Sequence, residues 1–488
     1  MTDALLGVVI ALPVIASVVP LVASFWREEI GWYVAVVALV LNAVLIGSVV
    51  RSFVSGGILS HEVGGVAVPY GIELALDGLS APVLVVIAVV SVGTLAYTRT
   101  AGPRSNSFYS GYLLLTAGLV GVTVTADVFN LYVFIEITGL GAYALIASGG
   151  DGRSAYAALK YLLVGTVGAS LYLIGIAYAF VATGTLNMAD LSARLADVGY
   201  GDTIVLASFA FIIAGLGVKV ALFPLHTWQP DAYSASPYGV AGYVSALVST
   251  VAAYALGRVI LTVYTPGFLT ANPVVSSGLI YFGALSIVAG SVLAVLQTDV
   301  RRLLAYSSVS QFGLIVAGFG IGNTASVFGS VVHLFGHAVM KGALFLTAGI
   351  IAYRFGVTRL DEYAGVARRV PYAGAAFAVL ALSLVGVPPA VGFVGKWYVA
   401  LGAVRAGETA VAVVIFASTL LTLMYVARLL DRMYYGEAPE AVADGGGGTR
   451  VTRGMVALVV LASVAVVALG PSASAVQETL ALGEVLGG

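Results

Sequence analysis

Apolar runs of eighteen residues or more recur from one end of this chain to the other, separated only by short polar breaks. At 1.5 Å per residue, a helix of that length spans the roughly 30 Å hydrocarbon core of a bilayer. In lipid every backbone donor and acceptor must be satisfied internally, so only helices and closed barrels can cross. A barrel would read as alternating segments of about ten residues, and the continuous runs here do not. The expected fold is an all-α polytopic membrane protein with about fourteen transmembrane helices. Only 9% of the 488 residues are charged, against about 25% in soluble domains. The first run (4–25) is preceded by Asp3 and no basic residue, so it reads as a spanning helix and not as a signal peptide.

Several function classes are excluded at once. There is no cysteine, hence no disulfide, no thiolate ligand for an iron–sulfur cluster and no c-type haem attachment. No phosphate-binding glycine motif follows a plausible strand, and the run Gly445–Gly448 reads as a flexible linker. A net charge of −1 offers no surface for nucleic acid. Neither a cofactor nor a metal is expected.

Arginine sets the expected orientation. Loops after odd-numbered spans carry thirteen arginines (among them Arg27, Arg99, Arg104, Arg301 and Arg302), and those after even-numbered spans only Arg51, Arg194 and Arg405. Basic loops stay in the cytoplasm. With fourteen spans, both termini then face outward.

Lysine is distributed quite differently. The four lysines, Lys160, Lys219, Lys341 and Lys396, all fall inside apolar spans. A desolvated lysine can titrate near neutrality, whereas arginine holds its proton, so a buried lysine can pass a proton on. The stretch LYVFIEITGLGAYALI (131–146) also buries one acid, Glu136, and a carboxylate at that depth is a functional candidate by default. Lys160, near a span end, has snorkelling to the interface as its alternative reading.

Two of the lysines accompany helix breakers. Lys219 precedes Pro224 by five residues, and Lys396 follows Pro389 by seven. Proline interrupts a helix, so the seventh (203–223) and twelfth (372–402) spans are expected to be broken. Broken helices at corresponding places in two halves point to ion sites near the midplane. On the eleventh span His333, His337 and Lys341 are spaced i, i+4, i+8, one polar stripe along about 12 Å of helix. That stripe reads as a proton relay. Its rivals are satisfied core histidines and a His-x3-His zinc clamp, the latter without an obvious third ligand nearby. Residues 159–176 echo 332–349 in small-residue spacing. Successive blocks of five spans must lie inverted, the architecture of secondary transporters. The expected organisation is N-terminal helices 1–3 (1–107), a first five-helix repeat (108–264) and a second inverted repeat (265–436). A cytoplasmic linker, helix 14 and a tail (437–488) complete it.

The motifs ADVFNLYVFIEITGLGAYALI, VKVALFPLHTWQPDAY, QTDVRRLLAYSSVSQFG, HLFGHAVMKGALF and GVPPAVGFVGKW resemble a known family over roughly 75–435. It comprises the antiporter-like membrane subunits of Mrp-type cation/proton antiporters, NADH–quinone oxidoreductases (chains L, M and N) and membrane-bound hydrogenases. TGTLNMADL and FVGKWY are most similar to the D-type component of the Mrp antiporters. The resemblance implies that Glu136 pairs with the broken-helix lysine Lys219. It places Lys396 as the terminal lysine and His333, His337 and Lys341 on a central polar axis. His226 and Asp231 match the HTW-x-PDAY segment in structural or gating roles. Where many relatives carry lysine or histidine on span eight, this chain has Thr250 beside Ser249, so the relay there would run through water or hydroxyls. Arg258 on the same span reads as a lipid-interface anchor. The implied function is a proton-translocating subunit of a multisubunit Na+/H+ antiporter in the plasma membrane, among other membrane subunits and lipid. The alternative is a pumping subunit of a redox complex. No catalytic chemistry of its own is expected.

Overall fold

The computed structural model describes residues 3–473 except 28, 440–441 and 443–450. The linker glycines 445–448 and most of the tail therefore lie outside the described residues. Helices dominate: α1 (Leu5–Ala23), α2 (Gly31–Gly56), α3 (Ser80–Ala101), α4 (Asn106–Val124), α5 (Val128–Ala147) and α6 (Gly152–Thr183). The short amphipathic α7 (Met188–Val198) leads to α8 (Thr203–Val220), α9 (Gln229–Ala235) and α10 (Tyr238–Arg258), which continues through a wider π turn. There follow α11 (Thr265–Ala271), α12 (Pro273–Val295), α13 (Val300–Ile321), α14 (Thr324–Phe355) and α15 (Val366–Arg369). The series ends with α16 (Pro371–Val385), α17 (Val391–Arg405), α18 (Thr409–Tyr435) and α19 (Arg453–Ala468).

Among the described residues, twelve helices are long and apolar enough to cross a membrane. Counting the interrupted α16–α17 as one crossing and the 16-residue α19 as another gives the expected fourteen. The break in span seven falls after Val220, where Ala221 turns left-handed (φ 67°) and ends α8. Trp228 Nε1 donates to the Val218 carbonyl at 2.9 Å and so caps that end. A two-stranded antiparallel hairpin, β1 (Leu59–Glu62) with β2 (Glu73–Leu76), fills the loop between α2 and α3. Neither the hairpin nor α7 is foreseen from the hydropathy pattern, because both lie in polar connections.

The interior is built on α10, α13 and α14, which are buried on nearly every face, whereas α1 and α2 leave two thirds of their residues open. Glycine sets the closest approaches. A Cβ on Gly313 would come within 2.6 Å of the Gly283 carbonyl, and one on Gly283 within 2.7 Å of the Gly313 carbonyl. Such small-residue contacts let helix backbones touch in lipid.

Landmarks recur at one fixed offset. Asp127 bridges Asn187 and Asp299 bridges Arg359, each pair 60 residues apart and the two 172 apart (299 − 127). Asp151 caps α6 and Asn323 caps α14, again 172 apart (323 − 151). Both helices are 32 residues long and end on a left-handed glycine, Gly184 and Gly356. The pairing of 159–176 with 332–349, an offset of 173 (332 − 159), is thus corrected by one residue. A likeness in small residues alone does not fix helical register; the caps do.

Candidate functional site

In the last turn of α8, Lys219 Nζ donates to Glu136 Oε1 of α5 at 2.8 Å and to the Tyr143 hydroxyl at 3.4 Å. The lysine side chain is 5% exposed and the glutamate 27%, so the pair opens on the glutamate side. Its tightness depends on Gly165 of α6, where a Cβ would stand 2.3 Å from the Tyr143 hydroxyl. A small cavity of about 10 Å³ adjoins Lys219, bounded by Thr138 and Tyr161 and by Val248, Val251 and Ala252 of α10. At the offset of 172, Tyr161, Gly165 and Ala169 correspond to His333, His337 and Lys341 (161 + 172 = 333). The same stripe of the helix thus makes room for an ion pair in one place and is itself ionisable in the other.

Around Ser249 and Thr250 of α10 the polar groups are neutral. Gln229 Nε2 donates to the Tyr233 hydroxyl at 3.2 Å and to Ser249 Oγ at 3.1 Å. The Thr250 hydroxyl is buried without a partner among the described residues, as are Gln229 Oε1 and both ring nitrogens of His337. Buried polar atoms are nearly always hydrogen-bonded, so an unmatched group of this kind marks a place that water can serve.

On α14 the three expected residues are fully buried. His333 Nε2 meets Gln311 Oε1 of α13 at 2.8 Å. The His337 ring packs edge-on against Phe312, centroids 4.7 Å apart, and lies 6.5 Å from the His333 ring. Lys341 Nζ donates to the Leu304 carbonyl at 2.8 Å and to the Ser307 hydroxyl. Among the described residues no carboxylate pairs with it; dipoles hold its ammonium.

Lys396, on α17, reaches back across the break and donates to the carbonyls of Leu384 and Val385 at 2.9 Å each. These are last-turn carbonyls of α16, the negative end of a helix dipole. Gly395 brings α17 against His333, where a Cβ would come within 2.5 Å of the histidine Cβ. The residue before Lys396 therefore touches the first histidine of the stripe.

The accessory residues form a separate cluster. Asp231 of α9 accepts from Lys160 of α6 at 2.6 Å and from Arg302 of α13 at 2.7 Å. Burial works to raise the Asp231 carboxyl, but the two cations outweigh it and hold it below the ordinary carboxylate range. Lys160 therefore pairs within the protein. His226 lies nearby, its ring 5.9 Å from Tyr306 and its Nδ1 without a partner among the described residues. Arg258 is not a lipid-interface anchor. Its guanidinium is buried, forks onto both oxygens of Asp77 and bonds the Tyr254 hydroxyl.

Tyr143, Gln229, Tyr233, Gln311, Ser307 and Arg302 are partners that sequence reasoning missed. They are neutral polar residues of ordinary type, or, for Arg302, one of many arginines near a span end, and only the packing selects them. The sole available signal lay in α13, where Ser307, Ser308, Ser310 and Gln311 interrupt an apolar run.

Comparison with known proteins agrees with this architecture. The family model described as NADH:quinone oxidoreductase/Mrp antiporter, TM, matches residues 125–422. A Desulforudis audaxviator protein, named as the N component of NADH-quinone oxidoreductase, is 42% identical over 80% of this chain and 78% of its own length. A Bacillus subtilis protein, named as the D component of a Na(+)/H(+) antiporter, is 32% identical over 82% of this chain and 81% of its own. Among solved structures, a chain of the Mrp complex from Dietzia sp. superposes with a TM-score of 0.90 at 26% identity, covering 99% of this chain and 97% of that one. The chain belongs to the NADH:quinone oxidoreductase/Mrp antiporter transmembrane family.

Proposed function

We propose that this chain is the proton-translocating subunit of a multisubunit Na+/H+ antiporter of the plasma membrane. The observation that carries the reading is the placement of its primary amines. Lys219, Lys341 and Lys396 are buried inside the protein, and each meets a different kind of partner: a carboxylate, a hydroxyl with a carbonyl, and a helix end. A proton on Lys219 is favoured while Glu136 is ionised and close, and is released inward when the pair separates. Water and hydroxyls around Gln229, Ser249 and Thr250 carry it across α10. His333, His337 and Lys341 then conduct it to Lys396, which exchanges it with the opposite face. No bond is made or broken apart from those to the proton.

The two halves (108–264 and 265–436) act as inverted repeats, with the arginine-rich loops inside and both termini outside. The recurrence of caps at 172 residues supports that division. Other membrane subunits complete the assembly, and Na+ moves against the proton. A second reading, a pumping subunit driven by electron transfer elsewhere, is favoured by the 42% identity to a protein named for NADH–quinone oxidoreductase. Copurification separates the two: partners with flavin or iron–sulfur absorbance mark the redox complex, purely membranous ones the antiporter. For the shared relay, Glu136→Gln and Lys219→Ala should each abolish proton-coupled transport in inverted vesicles while the complex still assembles. Wild-type rates in either would defeat it.

A further inference from the structure

The ends of α2, α3 and α4 that meet at the 102–105 turn enclose a cleft of about 350 Å³, lined by Glu29, Trp32, Tyr33, Arg99, Arg104 and Tyr109. Its walls are fixed. Trp32 Nε1 donates to the Leu95 carbonyl at 3.3 Å, and the Gly31 amide donates to Asn106 Oδ1 at 2.8 Å. The Arg99 guanidinium stands over the Trp32 ring, 4.1 Å from its centroid, and 5.8 Å from that of Tyr33. The six ion pairs among the described residues include neither Arg99 nor Arg104. One cation held over an aromatic ring, Arg99, and a second on the exposed turn, Arg104, thus line one polar cleft at the boundary where tryptophan and tyrosine collect in membrane proteins.

An apolar track leads from the cleft into the bilayer. Tyr33, Val37, Leu41 and Val44 are each more than half exposed and follow one another down one side of α2. Phe25 and Trp26, also exposed, flank the same end. We propose that this is a phospholipid site. Arg99 and Arg104 fork onto the phosphodiester, as guanidinium groups do with phosphate, and the acyl chains lie along the track. Basic pockets between membrane helices hold lipid headgroups in this way. Glu29 on the rim suits an ammonium-bearing head, so phosphatidylethanolamine is preferred over phosphatidylglycerol. The arginines alone would also take inorganic phosphate; the apolar track is what selects a lipid.

The test uses the full chain in its assembly, purified in mild detergent and compared with Arg99→Gln/Arg104→Gln. A single Arg104→Gln variant, altered only in the exposed turn, keeps the test readable if the double variant is unstable. Native mass spectrometry should find one retained phosphatidylethanolamine fewer in either variant. Added phosphatidylethanolamine should raise the unfolding midpoint of the wild type with an affinity about tenfold or more above the variants', and above that of phosphatidylglycerol. Equal lipid retention in wild type and variants, as expected if a neighbouring subunit fills the cleft, overturns the proposal. So does protection by inorganic phosphate alone.

Discussion

Lys219 shows how much one buried amine can be asked to do. Its ammonium is matched by a single carboxylate 2.8 Å away and a phenol at 3.4 Å, and the small cavity beside it is lined mainly by apolar side chains, with Thr138 and Tyr161. An arginine at this position would keep the ion pair but could not release its proton. Lys219→Arg should therefore assemble normally and transport nothing, whereas Tyr143→Phe, which removes one hydrogen bond worth about 1 kcal/mol, should slow transport about fivefold. Initial rates of pH-gradient dissipation in inverted vesicles measure both, and a Lys219→Arg variant with wild-type rates would rule out proton release at this residue. The ionisable members of the site were legible in the sequence because hydrocarbon makes a charge within an apolar run costly to keep without a use. Their neutral partners were not. Ser307, Ser308 and Ser310 share one helix, yet only Ser307 takes the Lys341 ammonium, a choice made by the rotation of α13 against α14.

At the level of elements, the two broken spans carry their amines on opposite sides of the break, as the proline spacing indicates, but hold them in different ways. Lys219 belongs to the half-helix before its break and Lys396 to the half-helix after it, so one lies within a C-terminal turn and the other reaches back to one. The helix pattern was legible from hydropathy and the side of each break from the prolines; that Lys396 reaches back to the Leu384 and Val385 carbonyls depends on tertiary packing. Away from the relay, the Asp77–Arg258 pair pins the segment leading into α3 to the end of α10. Burial tends to raise the Asp77 carboxyl, but the Arg258 charge and the Arg258 and Ser80 hydrogen bonds prevail and hold it at about 2. Because the folded value lies below the ordinary 3.8, the pair's stabilisation is fully present above that pH and is lost as pH falls through about 2. Asp77→Asn leaves a buried guanidinium unmatched and should cost ~3–5 kcal/mol. The unfolding midpoint of the variant should be lower at neutral pH and should converge on the wild-type value near pH 2. A gap that persisted there would show that the carboxylate charge is not what holds the pair.

At the scale of the whole molecule, two charge clusters bear on the proposed sidedness independently of the arginine bias. Lys160, Asp231 and Arg302 come from chain segments adjoining odd-numbered loops, at the ends of spans six, seven and ten, and they meet in one cluster. Glu73 bonds Asn187 at 2.8 Å, and Asp77 bonds Arg258; these residues come from segments adjoining even-numbered loops. A wrong number of crossings between any two members would have put them on opposite faces, so the contacts require an even number of crossings between Glu73 and Asn187, between Asp77 and Arg258, and among Lys160, Asp231 and Arg302. The clusters are the same for either orientation, so the proposed cytoplasmic face rests on the thirteen-to-three arginine excess. Because the chain has no cysteine, single introduced thiols report the answer without background. Ala196→Cys on α7 should react with a membrane-impermeant maleimide in intact cells. Asp361→Cys, in the connection between α14 and α15, should react only after permeabilisation. The reverse pattern would invert the direction of the proposed relay while leaving its residues unchanged, and labelling of both sites from outside would break the span count itself.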